Sequence, residues 1–229
     1  FSVAPGILSF FSNKIAKYPF SNLNNVQSTT RYGGMENAGC IFYDEKALNA
    51  DIQSTHLVAH EIAHQWFGNT VTESDWSHLW LSEGFATYLT NIYIEYSEGE
   101  IAFLAQLAQD RKKVIRFHES FKNPLVDSLT TNLNLLLNPN AYQKGAWILH
   151  MLRHEMGDSA FFLGLTEYYA TYKFRNANSL DFFRSMQPHT LKNLDLFRTQ
   201  WVYRGGHPIL KEVSQGNEFL VLIQTQKEL

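Results

Sequence analysis

The chain has 229 residues, of which 45% are hydrophobic and 18% charged, and a formal net charge of −3. That length can bury a sizeable core, as one large domain or a domain plus a fragment, and the composition excludes a collagen-like, low-complexity or disordered chain. With 19 Lys and Arg against 22 Asp and Glu there is no global basic field for nucleic acid. The single cysteine, Cys40, excludes an internal disulfide but does not identify the compartment. No apolar run approaches the roughly 18 residues of a membrane span. The chain opens on Phe1, without Met and without a signal-like segment. It therefore reads as a soluble piece of something longer, cytoplasmic or periplasmic.

Leu8, Phe11, Ile15 and Tyr18 recur at spacings of three and four, which predicts an amphipathic helix over residues 8–18, stopped by Pro19. Residues 26–30 and 39–43 are short and strand-like. Gly33 and Gly34 lie between them, where backbone can approach a neighbour closely. A helix is expected over 55–67, capped by Ser54 or Thr55 and ended by Gly68-Asn69. Further helices are expected over 79–96, 101–117, 142–156, 161–172, 179–186 and 194–204. After Gly206 the pattern changes to strand, turn at Gly216-Asn217, and strand. A lone hairpin is marginal. Residues 206–229 therefore read as a C-terminal hairpin on the helical body or the start of a β domain, and residues 1–205 as one unit.

His60-Glu61-Ile62-Ala63-His64 is the strongest chemical signal. On a helix, residues i and i+4 share a face, so both imidazoles reach one ion. Zinc needs a third protein ligand and an open fourth position. Glu83, at the start of the next predicted helix, returns beside the histidines if the two helices run antiparallel. Chance alone yields about 0.02 such His-Glu-x-x-His runs in a chain of this composition. Two neutral imidazoles and one carboxylate leave a zinc site at net +1, which pulls the pKa of a bound water towards neutrality. Glu61, beside a ligand and facing the open side, is the natural general base. Each ligand histidine should donate its other N–H to an acceptor, with Asp75, Glu95 and Thr87 as candidates. His150 and His154 are also four apart, but no Glu lies between them. Trp66, Phe67, Trp76, Trp80 and Phe85 read as core packing around the site, and Asn69 and Asp75 as residues fixing the intervening turn.

Three motifs resemble the M1 zinc aminopeptidases of the gluzincin clan. They are Gly33-Gly-Met-Glu-Asn37; His60-Glu-Ile-Ala-His-Gln-Trp-Phe-Gly-Asn69 with Trp80-Leu-Ser-Glu-Gly-Phe-Ala86; and Ala141-Tyr-Gln-Lys-Gly-Ala146. The resemblance covers residues 1–213. Gly34 stands where Ala is commoner, and Ser82 where Asn is usual. The resemblance implies a mainly helical α+β fold: a thermolysin-like zinc metallopeptidase catalytic domain, with a small mixed sheet and a helical lobe. It implies that His60, His64 and Glu83 hold one Zn2+, and that Glu61 is the base. Glu36 would bind the substrate's free α-ammonium, with Gly33, Gly34, Met35 and Asn37 as further substrate-binding residues. Tyr142 would donate to the oxyanion of the tetrahedral intermediate. It further implies a peptide substrate with a free N-terminus, a β-sandwich beginning after residue 206, and N- and C-terminal domains of the parent lying outside this chain.

The function expected is a zinc aminopeptidase. The alternatives are a gluzincin endopeptidase, an epoxide-hydrolysing branch member suggested by Gly33-Gly34, and a zinc-stabilised but catalytically silent fragment. Glu36 argues against the endopeptidase, and intact Glu61 and Tyr142 argue against the silent fragment. Cobalt or manganese can replace zinc in such a ligand set in vitro. The residues near Gly33–Met35 and on the helix of Glu83 set no obvious charge preference for the substrate side chain.

Overall fold

A computed structural model describes residues 1–48, 52–207, 209–215 and 218–224. The chain is mainly helical with a small sheet, as expected. Helix α1 spans Ala4–Lys14 and buries Ala4, Ile7 and Phe11. It begins four residues before the expected start because Pro5 suits a first helical turn, where its missing N–H costs nothing. It also ends before Tyr18, which turns away so that its ring meets Trp66 at 5.7 Å.

Three strands follow: β1 (Asn24–Ser28), β2 (Gly34–Met35) and β3 (Cys40–Asp44). Their order is β1-β3-β2, with β1 parallel and β2 antiparallel to β3. In β3 the alternation is clear: Ile41 and Tyr43 are fully buried, while Cys40, Phe42 and Asp44 are partly exposed. The two-residue β2 forms one edge of the sheet, and it carries the Gly-Gly pair.

Helix α2 spans Ile52–Ala63. The expected start at 55 is corrected: Ser54 lies inside the helix, and its hydroxyl donates to the Ala47 carbonyl (3.1 Å) instead of capping. After Ala63 the chain tightens into turns, and Gly68 takes φ +128°, which other residues rarely adopt. Strand β4 (Val71–Glu73) leads to α3 (Trp80–Glu98), and α4 (Glu100–His118) follows. Residues 80–92 of α3 are all buried. It is a central helix wrapped by others, not an amphipathic surface helix. A wider, π-type turn over Asn140–Lys144 precedes α5 (Gly145–Met156). Helix α6 (Asp158–Tyr172), strand β5 (Arg175–Ala177), α7 (Ser179–Met186) and α8 (Leu194–Arg198) complete the body. β4 and β5 pair in parallel. Strands β6 (Ile209–Gln215) and β7 (Glu218–Gln224) pair antiparallel. The expected turn at Gly216-Asn217, like Pro208 and residues 225–229, lies outside the described residues.

One continuous core joins these elements. Around the start of α3 it is aromatic. Phe85 lies 4.7 Å from Phe67, 5.7 Å from Trp80, 5.1 Å from Phe182 and 6.0 Å from Tyr168, ring centre to ring centre. Ser179, at the head of α7, accepts from the Trp80 indole N–H (2.8 Å) and also meets His78 (2.8 Å). Trp66, Phe67, Trp80 and Phe85 are therefore core residues, as expected. Trp76 is not: it is 56% exposed. It follows the Asp75 cap of a short 3-10 turn, before α3 enters the core.

No helix among the described residues is long and apolar enough to cross a membrane. Phe182→Ala removes the ring that touches Trp80, Phe85 and Tyr168 at once. Chemical denaturation should show a loss of about 3–5 kcal/mol, as for other buried Phe truncations. A loss below about 1 kcal/mol would mean that α7 does not brace α3.

Candidate metal centre and cleft

His60 leaves the last turn of α2, His64 follows directly after its end at Ala63, and Glu83 leaves the first turn of α3. The Nε2 atoms of His60 and His64 are 3.1 Å apart. Glu83 Oε2 lies 3.3 Å from the first and 3.2 Å from the second. Among the described residues, this is the one group of three or more His, Cys, Asp or Glu side chains that converges closely enough to hold an ion. The donor set fits zinc. Bonds of about 2.0–2.2 Å in a tetrahedron would put ligand atoms about 3.3 Å apart, and all three residues line the cleft.

The second nitrogen of His64 is oriented from the turn that follows it. Nδ1 lies 3.1 Å from the Phe67 carbonyl and 3.1 Å from Ser82 Oγ. Donation from Nδ1–H to that carbonyl leaves the Nε2 lone pair for a metal. The three acceptors suggested by the sequence do otherwise. Asp75 caps the Ser77 N–H (2.9 Å), Glu95 pairs with Arg153 (3.0 Å), and the Thr87 hydroxyl donates to the backbone carbonyl of Glu83 (2.7 Å). An acceptor three residues along a tight turn is a backbone atom, invisible to a search for polar side chains.

Charge is shared within the group. Burial opposes ionisation of Glu83, yet the adjacent His64 and His60 hold its carboxyl well below the usual range. Burial likewise opposes protonation of His64, but Glu83 outweighs it and raises its pKa to about 10. Glu61 is 5% exposed, and burial pushes its carboxyl up to about 6 against the pull of His60 and His64. The Glu61 side chain lies against β2, where a Cβ on Gly34 would overlap the carboxylate. The close approach expected of the Gly-Gly pair is thus to side chains, Glu61 at Gly34 and Leu57 at Gly33.

A cleft of about 700 Å³ opens over this group. Its walls take in the Gly33–Glu36 stretch, His60, Glu61, His64, Glu83 and Tyr142. Asn37 is not among them; it is exposed, and its carbonyl accepts the Cys40 N–H (2.9 Å) in the turn before β3. Glu36 is held through its backbone. Its carbonyl accepts from Asn69 Nδ2 (2.6 Å) and Gln65 Nε2 (2.8 Å), and Gln65 Oε1 accepts from the Gly39 N–H (2.9 Å). Asn69 thus ties the turn after α2 to the sheet. Gln65, fully buried, is a positioning residue that the sequence reading passed over. Its signal was a polar residue inside an otherwise apolar run, directly after a ligand.

Tyr142 comes from the wide turn before α5, and its ring lies nearly parallel to that of His60 (14°, centroids 6.1 Å apart). Burial and the nearby Glu83, to which its hydroxyl bonds, raise its pKa and keep the phenol protonated. Two glycines permit the approach. A Cβ on Gly84 would lie 2.8 Å from Gly145 Cα and 3.0 Å from the Ala141 carbonyl oxygen. Backbone therefore meets backbone where α3 crosses the start of α5, one residue from Glu83 and three from Tyr142. His150 meets the Tyr88 hydroxyl (3.2 Å).

Comparison with known proteins shows the family to which this chain is similar. The family model for the Peptidase family M1 domain matches residues 1–201. A probable aminopeptidase 2 of Sulfurisphaera tokodaii is 34% identical over 78% of this chain and 24% of its own length. A glutamyl aminopeptidase of Bos taurus is 30% identical over 78% of this chain and 20% of its own. Among solved structures, an M1 zinc metallopeptidase of Deinococcus radiodurans, in a mutant form bound to a Tyr-Ser-Ala substrate, superposes with a TM-score of 0.75. It is 27% identical, over 89% of this chain and 44% of its own. The chain spans about a quarter of the length of the curated relatives it matches.

Gly84→Ala should destabilise the protein by about 1–3 kcal/mol, the usual cost of overpacking. That corresponds to about 2–4 °C in melting temperature per kcal/mol for a chain of this size. An unchanged melting temperature would show that the two helices are not in backbone contact.

Proposed function

The chain belongs to peptidase family M1, and from that premise we propose that it performs zinc-dependent removal of N-terminal residues from peptides, with one zinc per chain. The observation that carries the reading is the opening of His60, His64 and Glu83 onto the same cleft as Glu36, Glu61 and Tyr142. Zinc held by the first three supplies Lewis acidity, polarising a carbonyl and bringing the pKa of water towards neutrality.

The chain's own residues do the rest. Glu61 accepts the proton of the attacking water and returns it to the leaving amine. A carboxyl raised to about 6 is well matched to both transfers near neutral pH. The protonated Tyr142 phenol donates to the oxygen on which negative charge develops, a role worth on the order of 3 kcal/mol in comparable sites. Glu36 pairs with the substrate's α-ammonium, a charge-assisted contact that admits chain ends and not chain interiors. Edge strand β2 offers backbone groups along which a substrate can lie extended. Gln65 and Asn69 grip the Glu36 backbone and fix the distance between amine site and metal site.

Mass spectrometry of the purified chain should find one zinc, lost in His60→Ala. Glu61→Gln should keep the metal and lower kcat by about 10²–10⁴. Acetylating the substrate's N-terminus should abolish cleavage. Cleavage of acetylated peptides would favour an endopeptidase, and identical behaviour of wild type and Glu61→Gln would favour a silent zinc-stabilised fragment.

A further inference from the structure

Glu73 ends β4 and lines the cleft beside Trp76 and Leu79. Its Oε2 atom is shut away from solvent and has no hydrogen-bond partner among the described residues. A carboxylate in that situation is costly unless a cation approaches it. No basic side chain of the cleft does so: among the described residues lining it, the one Lys or Arg is Lys113, whose charge acts on Asp110. Asp110 is itself satisfied by the amides of Asn91 (2.9 Å) and Gln106 (3.0 Å). Among the described residues, Glu73 thus has a buried carboxylate oxygen with no counter-ion, whereas Glu83 faces the histidines and Asp110 faces two amides. Burial pushes its carboxyl up to about 7 against a hydrogen bond from its own backbone N–H, with Glu83 and Glu36 adding to the rise and His64 opposing it. Glu83, His64 and Glu36 all act on it, so Glu73 stands within electrostatic reach of both the candidate metal group and Glu36.

We propose that Glu73 selects a cationic side chain, lysine or arginine, on the N-terminal residue of the substrate. The inference rests on the aminopeptidase reading and adds the substrate class. A guanidinium or ammonium seated against β4 supplies the charge that the carboxylate lacks, and it restores the anionic form. A neutral side chain of the same length fills the space without doing so. The expected preference is about tenfold or more, the scale of one charge-assisted contact in a partly desolvated site. Glu73 acts here in specificity, not on the reacting atoms.

The test is calorimetric titration of the full, zinc-loaded chain with L-arginine amide and with L-norleucine amide, for wild type, Glu73→Gln and Glu73→Asp. Both ligands carry the same α-amine, so the contribution of Glu36 cancels in their ratio. Wild type should bind arginine amide at least tenfold more tightly. In Glu73→Gln the ratio should fall to within about twofold of unity, and Glu73→Asp should recover part of it. Equal affinities in wild type would overturn the proposal, as would a ratio unchanged by Glu73→Gln. If Glu73→Gln does not fold, the wild-type ratio and that of Glu73→Asp decide in the same way. Cleavage of a leucyl peptide but not of its acetylated form, together with equal affinities, removes the role of Glu73 and leaves the aminopeptidase standing. Failure of both amides to bind overturns the two together.

Discussion

The convergence of two imidazole nitrogens and one carboxylate oxygen to within about 3.3 Å of one another, two of them on groups almost wholly buried, is the constraint around which this fold is arranged. His64 is 1% exposed and Glu83 8%. Placing such groups in an apolar core is expensive unless each is paired, and removing one partner leaves the others uncompensated. The pairing is mutual: Glu83 carries the negative charge that offsets the imidazoles, and their Nε2 atoms converge on one of its oxygens. Nothing in the backbone geometry of α2 or α3 alone produces this. It requires the turn after Ala63, the Gly68 backbone at positive φ, and the return through β4, so that two successive helices present their ends to one point.

The surroundings of that point differ on its two sides, and the difference has a chemical purpose. On the helical side, α3 is buried along most of its length and meets α5 through Gly84 and Gly145. Close backbone contact leaves few ways to slide, which suits the role proposed for the Tyr142 phenol beside His60 and Glu83. On the strand side, the wall is a two-residue edge strand, and Gly34 leaves room there for Glu61. The strand is tied to the metal side through backbone bonds from Gln65 and Asn69 to one carbonyl. Side chains thus grip main chain, and the Glu36 carboxylate is left free to meet a ligand.

Much of this was legible in the residues. The spacing of His60, Glu61 and His64 put them on one helix face, and Glu83 followed at the head of the next helix. The helix over 179–186 was placed to the residue by its apolar pattern, and in the structure Asn178 and Asp181 form a capping box at its start. Other features depended on partners far along the chain. β4 and β5 have three residues each, too few for a periodic pattern, and exist because residues 71–73 and 175–177 meet. The start of α1 was missed because the apolar spacing begins at Leu8, whereas Pro5 sets the first turn. Trp76 looked like core by residue type, but it lies beside the exposed Asp75 cap before the helix turns inward. The partner of His64 is a backbone carbonyl, and no side-chain pattern announces a carbonyl.

Glu73 shows most clearly how the fold adds chemistry to the pattern. In sequence it is one acidic residue among polar neighbours in Thr72-Glu-Ser-Asp75, where an exposed loop glutamate is the ordinary expectation. The pairing of β4 with β5 draws that segment against the body, and Asn176 Nδ2 donates to the Glu73 carbonyl (3.1 Å). The backbone is thereby fixed while the carboxyl group is carried into the wall of the cleft. Its main chain is held by the strand pair, while one oxygen of its carboxylate has no partner among the described residues. The stability of the strand pair does not call for a carboxylate there, whereas recognition of a cation does. The absence of any charge preference near Gly33–Met35 and along α3 is consistent with this, because the deciding group comes from the short strand between the two helices that hold the metal ligands.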